Sequence, residues 1–419
     1  MISGVNKSDE SPEIVPAAGC GENGLVDMNA VIADLRERRN NILNGGINCI
    51  PLPFKRFRSE VPGLEQEQYI VMTASTKAGK TQFASYLLYQ VLDYAYAHPD
   101  QCSVHVIYFN LEESQMRVKQ RYISHLLYKL DGYRLSPRDL RSTSVDYPLP
   151  EEVLNILSTE KYQKRLRFFD QCVQFETEDT NPTGILRVCE EYAKKVGNYK
   201  SVKKRSRGSD KEVEVFQSYT PYDKKHYKFV LIDHIGLVDL ERGMTLKQSM
   251  DKVSEYAVKY LRNRYLYNVI AIQQQAMESE GLEAIKQKKL VPAVATLGDT
   301  KYTARDANYV LGLFDPSFFG LPNWLGYKIQ DPDGSGLRNY GRFLYVIRGR
   351  DGEQGGVCPL FFDGAVCEFK ELPRFDDVNE VAKFYNAVAN IKSYKQKKKL
   401  SSLIMSLFNG RRENPFTGR

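Results

Sequence analysis

No stretch of the chain reaches 18 uninterrupted apolar residues, which excludes a membrane-spanning helix. The N-terminus, MISGVNKSDESPEIV, has no apolar core, which excludes a secretory signal. The seven cysteines (20, 49, 102, 172, 189, 358, 367) are scattered singly, with no CxxC pair and no metal-ligand spacing. Such a pattern excludes a disulfide scaffold and reads as reduced thiols in a cytosol-like compartment, so a cytoplasmic location is expected. The body of the chain also lacks a charge surplus. Residues 391–419 carry eight Lys+Arg and one Glu, a surplus of seven, and the whole chain, with 59 basic and 52 acidic residues, has the same surplus. The basic signal is therefore a property of the tail. It fits either a solvated, solubilising end or contact with nucleic acid.

The 419 residues are 42% hydrophobic, 26% charged and 11% aromatic, an ordinary globular composition that excludes a disordered protein or a collagen. The length suits one large domain with insertions, or two smaller ones. Residues 1–26 are polar and read as a disordered segment. From Asp27, Met28, Val31, Ile32, Leu35 and Ile42 recur at helical spacing until Gly45-Gly46, so a helix is expected within 27–46. Strand-like apolar runs then appear at 69–73, 104–110, 229–233, 268–274, 308–314 and 341–347, with a last strand over 357–369. Helical patterns at 81–97, 113–130, 181–196 and 247–266 separate most of them. Short, doubly apolar strands alternating with helices predict an α/β fold, a mostly parallel sheet flanked by helices on both faces. DGEQGG, between the last two strands, predicts an antiparallel edge hairpin. Two segments interrupt this 47–374 domain: a polar helical stretch at about 133–165, and a flexible basic insertion at 198–228 with nine Lys+Arg and four acids. Residues 375–419 form a helical, basic tail.

The strongest local signal is Thr73-Ala74-Ser75-Thr76-Lys77-Ala78-Gly79-Lys80-Thr81, after an apolar strand and at the opening of a helix. Backbone N–H groups of such a loop face phosphate oxygens, Lys80 reaches the β- and γ-phosphates, and Thr81 ligates Mg²⁺. The first glycine of the general GxxxxGK[ST] pattern is Ala74 here. FVLID places Asp233 at the end of a buried strand, where a nucleotide-site Mg²⁺ is held. Capping of the next turn is the alternative role for that aspartate. VIYFNLEES ends a strand at Asn110 and places Glu112 just after it. An acid at the tip of a strand next to the phosphate loop can polarise the attacking water. A helix-start glutamate is the plainer reading, and Glu113 stands beside it.

Together these segments resemble, in order, the RecA-like ATPase domain of DnaB-type replicative helicases, from about residue 27 to 370. PLPFKRFRSEVPGLEQEQYIVMTASTKAGKTQFA is similar to that family's lead-in to its phosphate loop, which also commonly starts with Ala. NLEESQMRVKQR resembles its S-L-E-M motif and implies Glu112 as the catalytic glutamate. FVLIDHIGLV resembles its I-D-Y-L-Q strand and implies Asp233 as the metal-site acid. The helix and strand ending in AIQQQ imply Gln274 as the phosphate-sensing glutamine. DTKYTARDANYVLGLF resembles the stretch ending D-A-D, with Asn308 in place of the second Asp. YVIRGRDGEQGG resembles the K-x-R-N-G hairpin, implying Arg350 as an arginine finger given to a neighbouring subunit's ATP, with Arg348 replacing the companion lysine. A trans guanidinium is worth about 10³–10⁵ in rate in well-studied cases.

The resemblance implies a RecA-like P-loop NTPase that uses ATP and Mg²⁺, forms a homo-hexamer and moves 5′→3′ on single-stranded DNA in replication. A primase or a helicase loader is the implied partner, and no membrane is involved. The helix within 27–46 resembles the linker helix that docks on a neighbouring subunit, but the family's N-terminal helical domain has no counterpart here. A helicase of this form suits a phage or mobile element. In the family, loops after the Walker B and glutamine strands line the central channel, which makes Lys286, Lys288 and Lys289 candidate DNA contacts. A solvated loop is the alternative for these three. A recombination-type ATPase that does not unwind, and a non-catalytic accessory subunit, stay open as other functions of the fold.

Overall fold

The computed structural model describes residues 27–75, 77–143, 148–205, 212–276, 281, 290–330, 336–350 and 355–391. The N-terminal segment expected to be disordered (1–26), Thr76, the candidate DNA contacts Lys286, Lys288 and Lys289, and the tail from 392 on lie outside the described residues. In chain order the first elements are α1 (Met28–Leu43), β1 (Ile50–Pro51), β2 (Gly63–Leu64), β3 (Gln68–Ala74), α2 (Lys80–Ala97), β4 (Ser103–Asn110) and α3 (Gln115–Asp131). Next come α4 (Pro137–Leu140), α5 (Glu151–Leu157), α6 (Glu160–Cys172), β5 (Val173–Glu176), α7 (Pro182–Lys195), β6 (Gly197–Arg205), β7 (Glu212–Pro221) and β8 (His226–Asp233). The remainder comprises α8 (Leu246–Tyr256), β9 (Asn268–Gln274), α9 (Tyr302–Asp306), β10 (Tyr309–Phe314), β11 (Asn323–Trp324), β12 (Tyr327–Lys328), β13 (Gly341–Gly349), β14 (Val357–Asp363), β15 (Glu368–Glu371) and α10 (Val378–Ala389).

Two compact units emerge, Cys49–Tyr192 with Lys225 onward, and the residues up to Asn48 with Ala193–Lys224. The larger unit holds a nine-stranded sheet in the order β15-β14-β13-β10-β3-β9-β8-β4-β5. From β10 to β5 the six strands pair in parallel, while β13, β14 and β15 continue antiparallel at one edge. All seven residues of β3 are buried, including Gln68 and Thr73, as a central strand covered on both faces requires. A further apolar cluster of Phe314, Tyr327, Phe343, Phe361 and Val381 seats α10 against the antiparallel end. The expected α/β architecture, with its antiparallel edge, is the observed one.

Three details differ from expectation. The strand expected over 357–369 is two strands, because the chain turns at 364–367 and Cys367 takes a positive φ of 52°. The strand that carries Glu112 is not next to the phosphate-loop strand, since β9 and β8 stand between β3 and β4. The helix expected to run to 266 leaves α-geometry at Ala257, where a π-helical stretch (Ala257–Arg262) follows α8.

In the smaller unit, Asp27 caps α1 by accepting from the Ala30 N–H at 2.7 Å. None of the helix is buried, and Met28, Ile32, Leu35, Ile42 and Leu43 are exposed. The stretch expected to be a flexible insertion contains the antiparallel hairpin β6–β7, paired from Gly197↔Pro221 to Arg205↔Glu212. Alternating Tyr199, Val202, Val215 and Phe216 supply its β-propensity, and the Tyr199 and Phe216 rings meet at 5.7 Å. Gly197 is required there: a Cβ would fall 2.5 Å from the Tyr219 ring.

Candidate functional site

The parallel strands β3, β9, β8 and β4 place Ala74, Gln274, Asp233 and Asn110 along one end of the sheet, where α/β folds bind ligands. Beyond Ala74 the loop needs left-handed backbone. Lys77 has φ 60° and Gly79 has φ 99°, and a Cβ on Gly79 would lie 3.1 Å from the Phe362 ring. Ser75 and Ala78 are buried, Lys77 is exposed, and Lys80 is half-buried as the first residue of α2. The opening N–H groups of that helix have no partner one turn earlier, so this end is an anion seat.

Thr81 Oγ1 donates to Asp233 Oδ1 at 3.2 Å, which joins the phosphate loop to the tip of β8. Tyr108, buried on β4, donates its hydroxyl to the other oxygen at 3.3 Å. Burial, followed by the Glu112 carboxylate, pushes the Asp233 carboxyl up to about 6. A hydroxyl and a carboxylate in contact, beside a phosphate seat, fit Mg²⁺, which commonly takes one or two protein oxygens and completes its shell with phosphate and water. No group of three or more His, Cys, Asp and Glu that could cage a metal occurs among the described residues, in keeping with that sparse donor set.

The two glutamates after β4 have different surroundings. Glu113 forms an ion pair with Arg121, which also donates to Ser85 Oγ at 3.2 Å. Glu112 is exposed, and its charge acts on both Asp233 and His234. Both glutamates precede α3 rather than lie in its first turn.

The three glutamines at 273–275 divide similarly. Gln273 donates to the carbonyls of Gly298 and Thr300 at 2.6 and 2.7 Å, and Gln275 donates to Thr73 Oγ1 at 2.7 Å. Gln274, exposed between them, has its amide 3.1 Å from His234 Nε2. An amide nitrogen can only donate, so in this arrangement the His234 Nε2 accepts. Burial holds His234 below the usual imidazole range, which fits a neutral ring.

The two candidate arginines lie elsewhere. Arg348 pairs with Val310 and Gly349 with Tyr309, while Tyr309 pairs with Ile70, four residues before Ala74. At about 3.3 Å per residue, the arginine end of β13 is about 13 Å along the sheet from the chain's own loop. There Arg350 donates to the carbonyls of Arg305 and Asp306 at 3.0 and 3.1 Å, at the C-terminal end of α9. Arg348 donates to Ala304 O at 3.1 Å. Asn308, which stands where the resembled motif has an acid, is structural. Its Oδ1 accepts from the Tyr69 N–H and from Arg262, each at 2.9 Å.

Reading the sequence missed Tyr108, Arg121, His234 and Arg342. The last is a buried β13 residue whose Nε donates to Ala78 O within the phosphate loop at 2.8 Å. One signal was present, since Arg342 is a lone charge in the apolar run GRFLYVI. A surface cavity of about 730 Å³ lined by Phe57, Leu325, Tyr327 and Phe375 includes no residue of the loop.

No protein-family model matches the sequence, and no curated protein matches it. Solved structures do match in fold. One, described as a DnaB-like replicative helicase and its interactions with primase, aligns with a TM-score of 0.57 at 15% identity, covering 84% of this chain and 68% of its own. Another, an ATPase domain from a second helicase, aligns with a TM-score of 0.56 at 14% identity, covering 83% of this chain and 99% of its own. The chain thus has the RecA-like α/β fold of DnaB-type helicase ATPase domains.

Proposed function

We propose that this chain is an ATP-driven DNA helicase or single-strand translocase that works as a ring of identical subunits. The observation that carries the reading is the division of the site. Phosphate loop, Asp233, Glu112 and Gln274 gather at one end of the sheet, while Arg350 stands at the other end of the same sheet. One chain then holds a nucleotide but cannot bring its own finger to it, so a neighbour supplies the guanidinium. The exposed apolar residues of α1 support assembly, since they give a neighbouring subunit a surface to cover.

In this reading Lys80 and the α2 N-terminus bind the β- and γ-phosphates, and Thr81 with Asp233 holds Mg²⁺, which neutralises phosphate charge. Glu112 accepts a proton from the attacking water, and Gln274 contacts the γ-phosphate. Lys286, Lys288 and Lys289 would track DNA phosphates without reading sequence. The similarity of fold to a replicative helicase studied with primase supports replication, 5′→3′ movement, hexamers, and a primase or loader as partner. Phage or mobile-element origin belongs to the same proposal. The test is ATP hydrolysis with and without single-stranded DNA, followed by displacement of a labelled strand. DNA-stimulated hydrolysis with displacement is expected. Stimulated hydrolysis without displacement would favour a recombination-type ATPase, and no hydrolysis an accessory subunit.

A further inference from the structure

Arg342 is 4% exposed, and its guanidinium is surrounded by specific partners. Nε donates to Ala78 O at 2.8 Å, and Nη1 donates to the carbonyls of Asn339 and Gly341 at 2.8 and 2.7 Å. Nη2 pairs with Asp315 Oδ2 at 2.9 Å, and the guanidinium carbon lies 4.9 Å from the centre of the Phe362 ring. Asp315 is fixed in turn, because its Oδ1 accepts from the Ser317 N–H at 2.9 Å and hydroxyl at 2.7 Å.

The consequence lies in the Ala78–Gly79 peptide. In a trans peptide the C=O and the following N–H point in opposite directions across a rigid plane. Holding Ala78 O toward Arg342 therefore aims the Gly79 N–H away from Arg342, toward the mouth of the loop at the N-terminus of α2. The same unit restrains Gly79 from its other side, since the Phe362 ring under the guanidinium lies where a Gly79 Cβ would be. Without such an anchor a glycine-containing loop would sample many backbone states, and ordering it would oppose anion binding.

We propose that Arg342, held by Asp315, is a positioning residue that pre-sets the Gly79 N–H for a nucleotide phosphate. It touches no ligand. Its contribution is to the readiness of the loop, and the inference rests on the reading that the loop binds phosphates. Lysine cannot replace it fully, because one ammonium does not reproduce the fork that spans Ala78, Asn339, Gly341 and Asp315.

The test compares full-length wild type, Arg342→Gln, Arg342→Lys and Lys80→Ala for ATP binding, steady-state hydrolysis and thermal unfolding. A charge-assisted contact of this kind corresponds to roughly a tenfold to hundredfold change in equilibrium. Arg342→Gln should raise the ATP dissociation constant and KM by at least about tenfold while kcat falls much less, because a backbone donor serves ground and transition states alike. Arg342→Lys should recover part of the loss. If Arg342→Gln does not fold, the paired change Arg342→Met with Asp315→Leu removes both buried charges and should show the same weakened binding. A lower unfolding temperature with unchanged ATP affinity would overturn the inference and leave only a structural ion pair. Wild-type protein that binds no ATP, or binds it equally well after Lys80→Ala, would overturn the phosphate reading itself and this inference with it.

Discussion

Glu113 is held by the Arg121 guanidinium, while Glu112, one residue earlier, faces solvent within electrostatic reach of Asp233 and His234. Glu112→Gln should therefore keep ATP binding and slow hydrolysis by about 10²–10⁴-fold, the usual cost of losing a general base. Glu113→Gln should mainly lower the unfolding temperature, because it leaves a buried arginine without its counter-charge. A larger kinetic loss from Glu113→Gln in single-turnover measurements would reverse the two roles.

Lys80→Ala should abolish hydrolysis. Lys77 is exposed, three residues earlier on left-handed backbone, and should not substitute; Lys77→Ala should stay within a few-fold of wild type. Turnover by both variants under saturating ATP is the measurement, and near-normal turnover by Lys80→Ala would move the nucleotide site elsewhere.

Replacing Lys286, Lys288 and Lys289 together with Gln should weaken single-stranded DNA binding equally on unrelated sequences. For single strands the slope of log affinity against log salt is about 0.7 per neutralised phosphate, so removing three contacts should reduce it by about 2 per subunit. An unchanged slope would assign the lysines to a solvated loop.

Lys228, on β8, is 1% exposed, with its ammonium 5.4 Å from the centre of the Tyr267 ring. Burial lowers its pKa to about 7, below its value in an unfolded chain. Between about pH 7 and 10 the unfolded state then binds more protons, so this residue makes stability rise with pH across that window. Lys228→Met should flatten the rise. Unfolding temperatures at pH 7, 8 and 9 would show it, and an unaltered slope would contradict the assignment.

The parts of the fold legible in the sequence were those with strong periodicity. Runs such as YIVMT, FVLID and NVIAIQQ became β3, β8 and β9 nearly residue for residue, because strands buried on both faces admit few polar residues. The β6–β7 hairpin was masked by its lysines, since charge counting hides the alternation of Tyr199, Val202, Val215 and Phe216. Strand order was not legible locally. Nothing within VIYFN says that β8 and β9 intervene between it and the phosphate-loop strand, because pairing partners lie more than a hundred residues away. In the candidate site, GKT announces itself by spacing. The choice between Glu112 and Glu113, by contrast, depends on Arg121, and loop geometry depends on Arg342. Both supports come from other elements.

The central claim is that a site becomes complete only when a neighbour offers Arg350. ATPase rate per subunit, followed by dilution through the assembly transition with oligomeric state measured in parallel, tests it most directly. The account predicts that the rate falls as assemblies dissociate, and that Arg350→Ala is slow at every concentration with nearly unchanged ATP affinity. It also predicts that mixing Arg350→Ala with Lys80→Ala restores some turnover, where an intact finger meets an intact loop. A demonstrably monomeric sample that hydrolyses ATP at the full assembled rate would contradict it and make Arg350 an ordinary surface arginine.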